Sequence, residues 1–145
     1  NILNEKFNTE EFSKTPGSGA YATTHSLPEY LKIYGDIITP KDFRYCIECK
    51  KGYNYLDLYS ILKKESDLWK FIDQSERDAD QAQKRSLILL QQDRKSILAI
   101  LSKKYSPELN NCIEFSGRVL CNMEELLTQD YSFWFELSAP EVPQE

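Results

Sequence analysis

Hydrophobicity changes its period between residues 43 and 101, and that change restricts the architecture more than any other feature of the chain. From Phe43 to Lys50 apolar and polar residues alternate. Phe43, Tyr45, Ile47 and Cys49 fall on one face, and Arg44, Cys46, Glu48 and Lys50 on the other. Side chains two apart on a strand leave the same face, so this is the pattern of a half-buried strand. From Ser66 the period becomes helical. Leu68, Phe71, Ile72, Ser75, Ala79 and Ala82 recur at helical spacing to about Lys84, with Ser66 as N-cap and Asp67 in the first turn. Two short apolar runs follow, 86–90 (SLILL) and 96–101 (SILAIL), and their spacing predicts a hairpin. Strand, helix and further strands in this order predict an α/β fold, a mixed central sheet flanked by helices.

The remaining segments fill in that plan. Residues 1–12 read as a short helical turn or the remnant of a longer element, followed by a loop rich in Pro, Gly and Ser. Gly35 to Pro40 reads as a short strand ended by proline, with Lys41–Asp42 as the turn that brings it antiparallel beside the 43–50 strand. Residues 53–64 read either as a loop with a short helix or as a helix start, CIEF and SGRVLC as a strand pair turned at Ser116–Gly117, and MEELL as one helical turn. YSFWFEL reads as a final strand or edge segment. That would place Phe133 and Phe135 in the core, together with Trp69 and Phe71. One domain is expected over 1–137, with 138–145 an acidic, proline-rich and disordered tail.

Composition closes off several functions. No apolar run approaches the ~18–20 residues that span a bilayer, so no membrane partner is expected. No signal peptide is visible, and the chain begins at Asn1 rather than Met, so upstream residues belong to the expectation. Cys46 and Cys49 are three apart on one strand and face opposite sides, which argues against a shared zinc. The four cysteines (46, 49, 112 and 121) are therefore expected as buried thiols in a reducing cytoplasm. A net charge of −5 counts against binding nucleic acid through a broad basic surface, but leaves room for an enzyme whose carboxylates are neutralised by cations.

The chemistry concentrates at Asp36 and, twelve residues on, at Glu48-Cys49-Lys50. Antiparallel neighbours would bring Asp36 beside Glu48, while Glu48 and Lys50 share a face. Mg²⁺, or Mn²⁺ in its place, prefers carboxylate oxygens and keeps several waters. Asp36, Glu48 and the backbone carbonyl of Cys49 would be its protein ligands. Lys50 would orient or help deprotonate the attacking water and offset charge on the phosphoryl oxygens. Taken alone, an acid and a lysine two apart on a strand are common on any solvated sheet face.

Three segments together, Ser18-Gly19-Ala20, Gly35-Asp36-Ile37 and Ile47-Glu48-Cys49-Lys50, resemble the phage and archaeal Holliday junction resolvase-like branch of the PD-(D/E)XK nucleases. The resemblance extends over roughly residues 12–101. It implies a restriction-endonuclease-like fold, Asp36 and Glu48 as metal ligands and Lys50 as the catalytic lysine. Ser18, with Gly19, would sit near the scissile phosphate, and Gln74 would line the site. It also implies a glutamate on a helix ahead of the Ser-Gly loop, for which Glu5, Glu10 and Glu11 are available unless that residue precedes Asn1. The function so implied is a Mg²⁺-dependent endonuclease of branched or structured DNA, acting as a homodimer in a prokaryotic or virus-infected cell. One rival is a restriction-like or strand-nicking nuclease on the same fold. The other is an inactive nuclease-like module that binds DNA or protein.

Other polar and aromatic residues carry less. His25, a lone loop histidine, reads as surface. Tyr53, Tyr55 and Tyr59 have the chemistry to stack on unpaired bases, but their spacing favours packing on the sheet. Arg94 and Lys95, at a hairpin tip, have the charge to touch a DNA backbone.

Overall fold

A computed structural model describes residues 2–14, 37–51, 57–92 and 94–136. In chain order the elements are α1 (Ile2–Phe7), β1 (Ser13–Lys14), β2 (Ile37–Ile38), β3 (Tyr45–Lys51), α2 (Leu58–Leu62) and α3 (Asp67–Gln81). They continue with β4 (Arg85–Gln91), β5 (Leu98–Ser102), a 3₁₀ turn at Lys103–Tyr105, β6 (Cys112–Phe115), β7 (Arg118–Asn122), α4 (Met123–Leu127) and α5 (Tyr131–Trp134). The five longer strands form one sheet in the order β3-β4-β5-β7-β6. β3 and β4 are parallel and the other pairs antiparallel, so the sheet is mixed, as the sequence predicts.

Both faces of this sheet are covered, which is why 86–90 and 96–101 are continuously apolar. One face carries Tyr45, Ile47, Leu87, Leu89, Ala99, Leu101 and Val119, packed with Leu3, Leu126 and Trp134 from the short helices. The other carries Ile88, Leu90, Ile100 and Leu120 against Leu68, Trp69 and Ile72 of α3. α3 begins at its expected cap, where the Ser66 side chain accepts from Trp69 N. Arg118 of β7 ties the sheet to α3 through a two-pronged pair with Glu76, Nε to Oε2 at 2.8 Å and Nη2 to Oε1 at 2.6 Å. That pairing holds the Arg118 guanidinium above its ordinary pKa.

Four sequence expectations change. First, β3 does not alternate in burial: Tyr45, Cys46, Ile47 and Glu48 are all buried, because helices cover both faces there, and only Cys49 to Lys51 emerge. Second, β2 pairs with β1 (Ser13↔Ile38, Lys14↔Ile37) instead of with β3. The space beside the start of β3 is taken by the 134–136 segment: Arg44 N donates to Trp134 O, Glu136 N to Asp42 O, and Phe43 bridges Phe135. Third, Tyr131–Trp134 is a helical turn and not a strand. Asp130 caps it, accepting from Phe133 N at 3.3 Å and from Ser132 Oγ at 2.6 Å, a local alternative that short polar side chains offer against strand pairing. Phe135 is buried as expected, while Phe133 and Phe71 are only partly so. Fourth, Cys46 and Cys121 are buried but Cys49 and Cys112 are exposed, and none forms a disulfide. Burial, with Glu125 and Cys112 adding to it, pushes the Cys121 thiol up to about 12. The tail at 138–145 lies outside the described residues.

The β6–β7 hairpin turns at the expected dipeptide. Ser116 (φ 47°) and Gly117 (φ 76°) both adopt positive φ, as a type I′ turn requires. A Cβ at Gly117 would meet nothing within 4 Å, so the cost of substitution there is purely conformational. Gly117→Ala is expected to lower stability by about 1 kcal/mol in denaturant unfolding. A neutral result would show that the turn relaxes.

Candidate functional site

β3 is an edge strand of the large sheet, and its α3-facing side carries Cys46, Glu48 and Lys50 in succession. The parallel register sets Glu48 opposite Ile88 and Lys50 opposite Leu90, both in the apolar layer beneath α3. Glu48 is only 6% exposed, although burying a carboxylate in such a layer is costly. Glu48 and Ser75 are the two buried polar or charged residues among the described ones, and Ser75 lies on the buried face of α3. The Ser75 hydroxyl has no hydrogen-bond partner among the described residues. On this side the strand reaches water at Lys50, two residues beyond Glu48. Lys50 is exposed, and its ammonium stands 5.0 Å from the centroid of the Phe71 ring on α3. Within two residues, one strand therefore presents a buried acid and an exposed cation on one side. Cys49, between them, points to the opposite face, leaving its backbone carbonyl as the group it has to offer.

The segment following Asp36 is held in place from α3's far end. Lys84 Nζ donates to Thr39 Oγ1 at 2.9 Å and to the Pro40 carbonyl at 3.1 Å. Phe43 N donates to the same carbonyl at 3.0 Å. Desolvation lowers the Lys84 pKa. β2 approaches β3 to within 8 Å between Cα atoms. Asp36 itself, with Ser18, Gly19, His25, Tyr53 and Tyr55, lies outside the described residues. Gln74 is exposed on α3, three residues beyond Phe71. Glu5 is exposed on α1, and Glu10 and Glu11 are exposed between α1 and β1. Arg94 and Lys95 are exposed between β4 and β5. No cluster of three or more His, Cys, Asp or Glu able to hold a metal exists among the described residues. The carboxylate of Glu48 is nevertheless the hard oxygen donor that Mg²⁺ or Mn²⁺ takes, so the donor chemistry on β3 fits such an ion.

Sequence reasoning passed over two residues here. Ser75 was legible only as one more member of the helical stripe, although a serine in an otherwise apolar stripe is itself a signal. Lys84 stands in the sequence only as the end of the helical stripe, and nothing local foretells its bonds to residues 45 and 44 positions away. Tyr59, expected to pack on the sheet, is instead exposed on α2.

A model of the family named "Phage putative PDDEXK endonuclease" matches residues 1–128. The chain belongs to this family. Membership places it in the PD-(D/E)XK superfamily of endonucleases, and Glu48-Cys49-Lys50 has the (D/E)-X-K form. The mixed sheet with helices on both faces is consistent with a restriction-endonuclease-like fold. No curated protein and no solved structure matches. No helix among the described residues of this endonuclease family member is long and apolar enough to cross a membrane.

Proposed function

We propose that this chain is a divalent-metal-dependent DNA endonuclease that cuts branched or otherwise structured DNA, with Asp36, Glu48 and Lys50 as its working residues. The observation that carries this reading is the buried Glu48 beside the exposed Lys50 on the α3-facing side of an edge strand. The Lys84 anchor supports Asp36 as the second carboxylate. Asp36 precedes Thr39 by three residues, and Glu48 follows Tyr45, the register partner of Arg85, by three. Lys84, which holds Thr39 and Pro40, adjoins Arg85, so the described segment that follows Asp36 in sequence is tied near the start of the strand that carries Glu48. They and the Cys49 carbonyl would hold Mg²⁺ or Mn²⁺, with Ser18, Gly19 and Gln74 placed toward the substrate phosphate. When bound, the cation lowers the pKa of a coordinated water and offsets charge on the phosphoryl oxygens.

The chain's own residues do the remainder. Glu48, walled in by Ile88 and α3, presents its carboxylate in a fixed place, so little reorganisation is needed on reaching the transition state. Lys50 brings an ammonium to the same face, where it orients the attacking water and stabilises negative charge as the bond to the leaving strand breaks. The reaction is hydrolytic, with no covalent enzyme intermediate. A homodimer would give two sites for two strands of a junction. An inactive DNA- or protein-binding module is the second reading, favoured by the net charge of −5. The test is cleavage of a labelled four-way junction beside linear duplex in Mg²⁺ or Mn²⁺. Preferential cutting of the junction is expected. Equal cutting of both would remove the branched-DNA element, and cutting of neither by protein that still binds DNA would favour the second reading.

A further inference from the structure

We propose that Cys112 and Cys121 form a redox modification site, at which a peroxide joins the two sulfurs in a cross-strand disulfide that closes the open end of the β6–β7 hairpin. The pair is set by register: Cys112 of β6 stands directly opposite Cys121 of β7. Residues directly opposite on antiparallel strands project to the same face. The turn decides which kind of pair they make. The positive-φ residues Ser116 and Gly117 form a two-residue turn whose i to i+3 bond runs between Phe115 and Arg118, so these two are a hydrogen-bonded pair. Hydrogen-bonded and non-hydrogen-bonded pairs alternate from there. Glu114↔Val119 is therefore non-hydrogen-bonded, Ile113↔Leu120 hydrogen-bonded and Cys112↔Cys121 non-hydrogen-bonded. At such a site Cα atoms lie ~4.5 Å apart and side chains come closest, inside the ~4.4–6.8 Å range that a disulfide spans. Cys112 is also close enough to Cys121 to act on its thiol electrostatically.

The other two thiols do not compete. Cys46 and Cys49 are three residues apart on β3, so ~10 Å separates their Cα atoms. β4 and β5 lie between β3 and β7, which puts ~14 Å between those strands, well beyond a disulfide. Exposure divides the roles within the pair. Cys112 is exposed and lines an open cleft of about 560 Å³ with Lys103, Ser106, Asn110 and Glu114, so a small oxidant reaches its sulfur. Cys121 is 3% exposed, so the sulfur it meets must already stand beside it. Cys112 Sγ takes an oxygen from hydrogen peroxide and becomes a sulfenic acid, releasing one water. Cys121 Sγ then bonds to that sulfur and expels the oxygen as a second water. Both thiol hydrogens leave in the two waters, and the sulfurs together give up two electrons. β6 is an edge strand whose Cys112, Ile113 and Glu114 are all exposed. The turn holds one end of it, and Cys112 is its first residue at the other. A bond there closes a ten-residue loop, Cys112 to Cys121. It lies on the opposite edge of the sheet from β3, so it is independent of the hydrolytic reading above.

The experiment treats the folded chain with hydrogen peroxide, blocks the remaining thiols with N-ethylmaleimide and digests with trypsin in the absence of reductant. Cleavage after Lys104 and Arg118 places Cys112 in peptide 105–118 and Cys121 in peptide 119–145. Mass spectrometry is expected to find these two peptides joined, and separated by dithiothreitol, while the chain runs as a monomer on a non-reducing gel. Cys49→Ser should leave the link intact, and Cys112→Ser should abolish it. The oxidised wild type should melt about 5 °C above the reduced protein, a difference that Cys112→Ser loses. Cys112 carried to sulfinic acid while Cys121 stays a thiol overturns the proposal, as does a bond from Cys112 to a second copy of the chain. A linked pair with no rise in melting temperature overturns the closing of the hairpin.

Discussion

Glu48→Gln is expected to slow metal-dependent cleavage by about a thousandfold or more, equivalent to about 4 kcal/mol of transition-state stabilisation. The substitution keeps the volume of a side chain that is only 6% exposed, so packing against Ile88 and α3 survives and the loss is chemical. It removes the negative charge on which the proposed divalent cation would depend. Lys50→Ala is expected to lose about a hundred- to a thousandfold, the range for removing one preorganised group that meets developing charge. Because Lys50 is exposed and holds its ammonium 5.0 Å from the Phe71 ring, its removal costs little stability. The two variants should also differ in their response to cation concentration. Glu48→Gln should need more Mn²⁺ for half-maximal rate, and Lys50→Ala about the same. Single-turnover cleavage across a Mn²⁺ titration separates them; identical titration curves for both variants would contradict the division of roles.

The largest expected stability effect lies at the other end of the sheet. Trp134 is fully buried and stacks on Phe43 at 5.9 Å and 14°, with edge-on contacts to Phe7, Tyr45 and Phe133. This aromatic cluster joins α1, the start of β3 and α5, and thereby fixes the strand that carries Glu48 and Lys50. Trp134→Ala should cost about 3–5 kcal/mol through lost burial and a residual cavity. For a domain of this size that lowers Tm by roughly 10 °C. Trp134→Phe should cost much less, because the indole N–H it deletes has no hydrogen-bond partner among the described residues. Thermal unfolding of both variants gives the comparison. A Phe variant as unstable as the Ala variant would mean that the indole nitrogen, not the ring packing, is what matters.

Elements with a strong local signature were legible from sequence. Ser66 and the stripe after it delimit α3, the apolar runs mark β4 and β5, and Ser116–Gly117 marks the β6–β7 turn, because caps, periods and positive-φ residues are all local. What was hidden was non-local. β2 pairs with β1, 25 positions apart at Ser13↔Ile38, while the 134–136 segment occupies the start of β3. Tyr131–Trp134 alternates like a strand but follows Asp130, whose side chain caps a helical turn instead. At the candidate site the sequence marks Glu48 and Lys50 by their motif and spacing. It does not reveal that Glu48 is buried, that Ser75 shares the buried polar set, or that Lys84 reaches Thr39 and Pro40, since each depends on how α3 lies across the sheet.

The central claim is that the α3-facing side of β3, with Asp36, performs metal-dependent hydrolysis of DNA. It is tested most directly by incubating labelled DNA with wild-type protein and with Asp36→Asn and Glu48→Gln, each with Mn²⁺ and with EDTA. Cutting by wild type in Mn²⁺ only, lost in both variants while their melting temperatures stay within a few degrees of wild type, is the predicted result. Cutting that persists in EDTA, or that survives both substitutions, would contradict it.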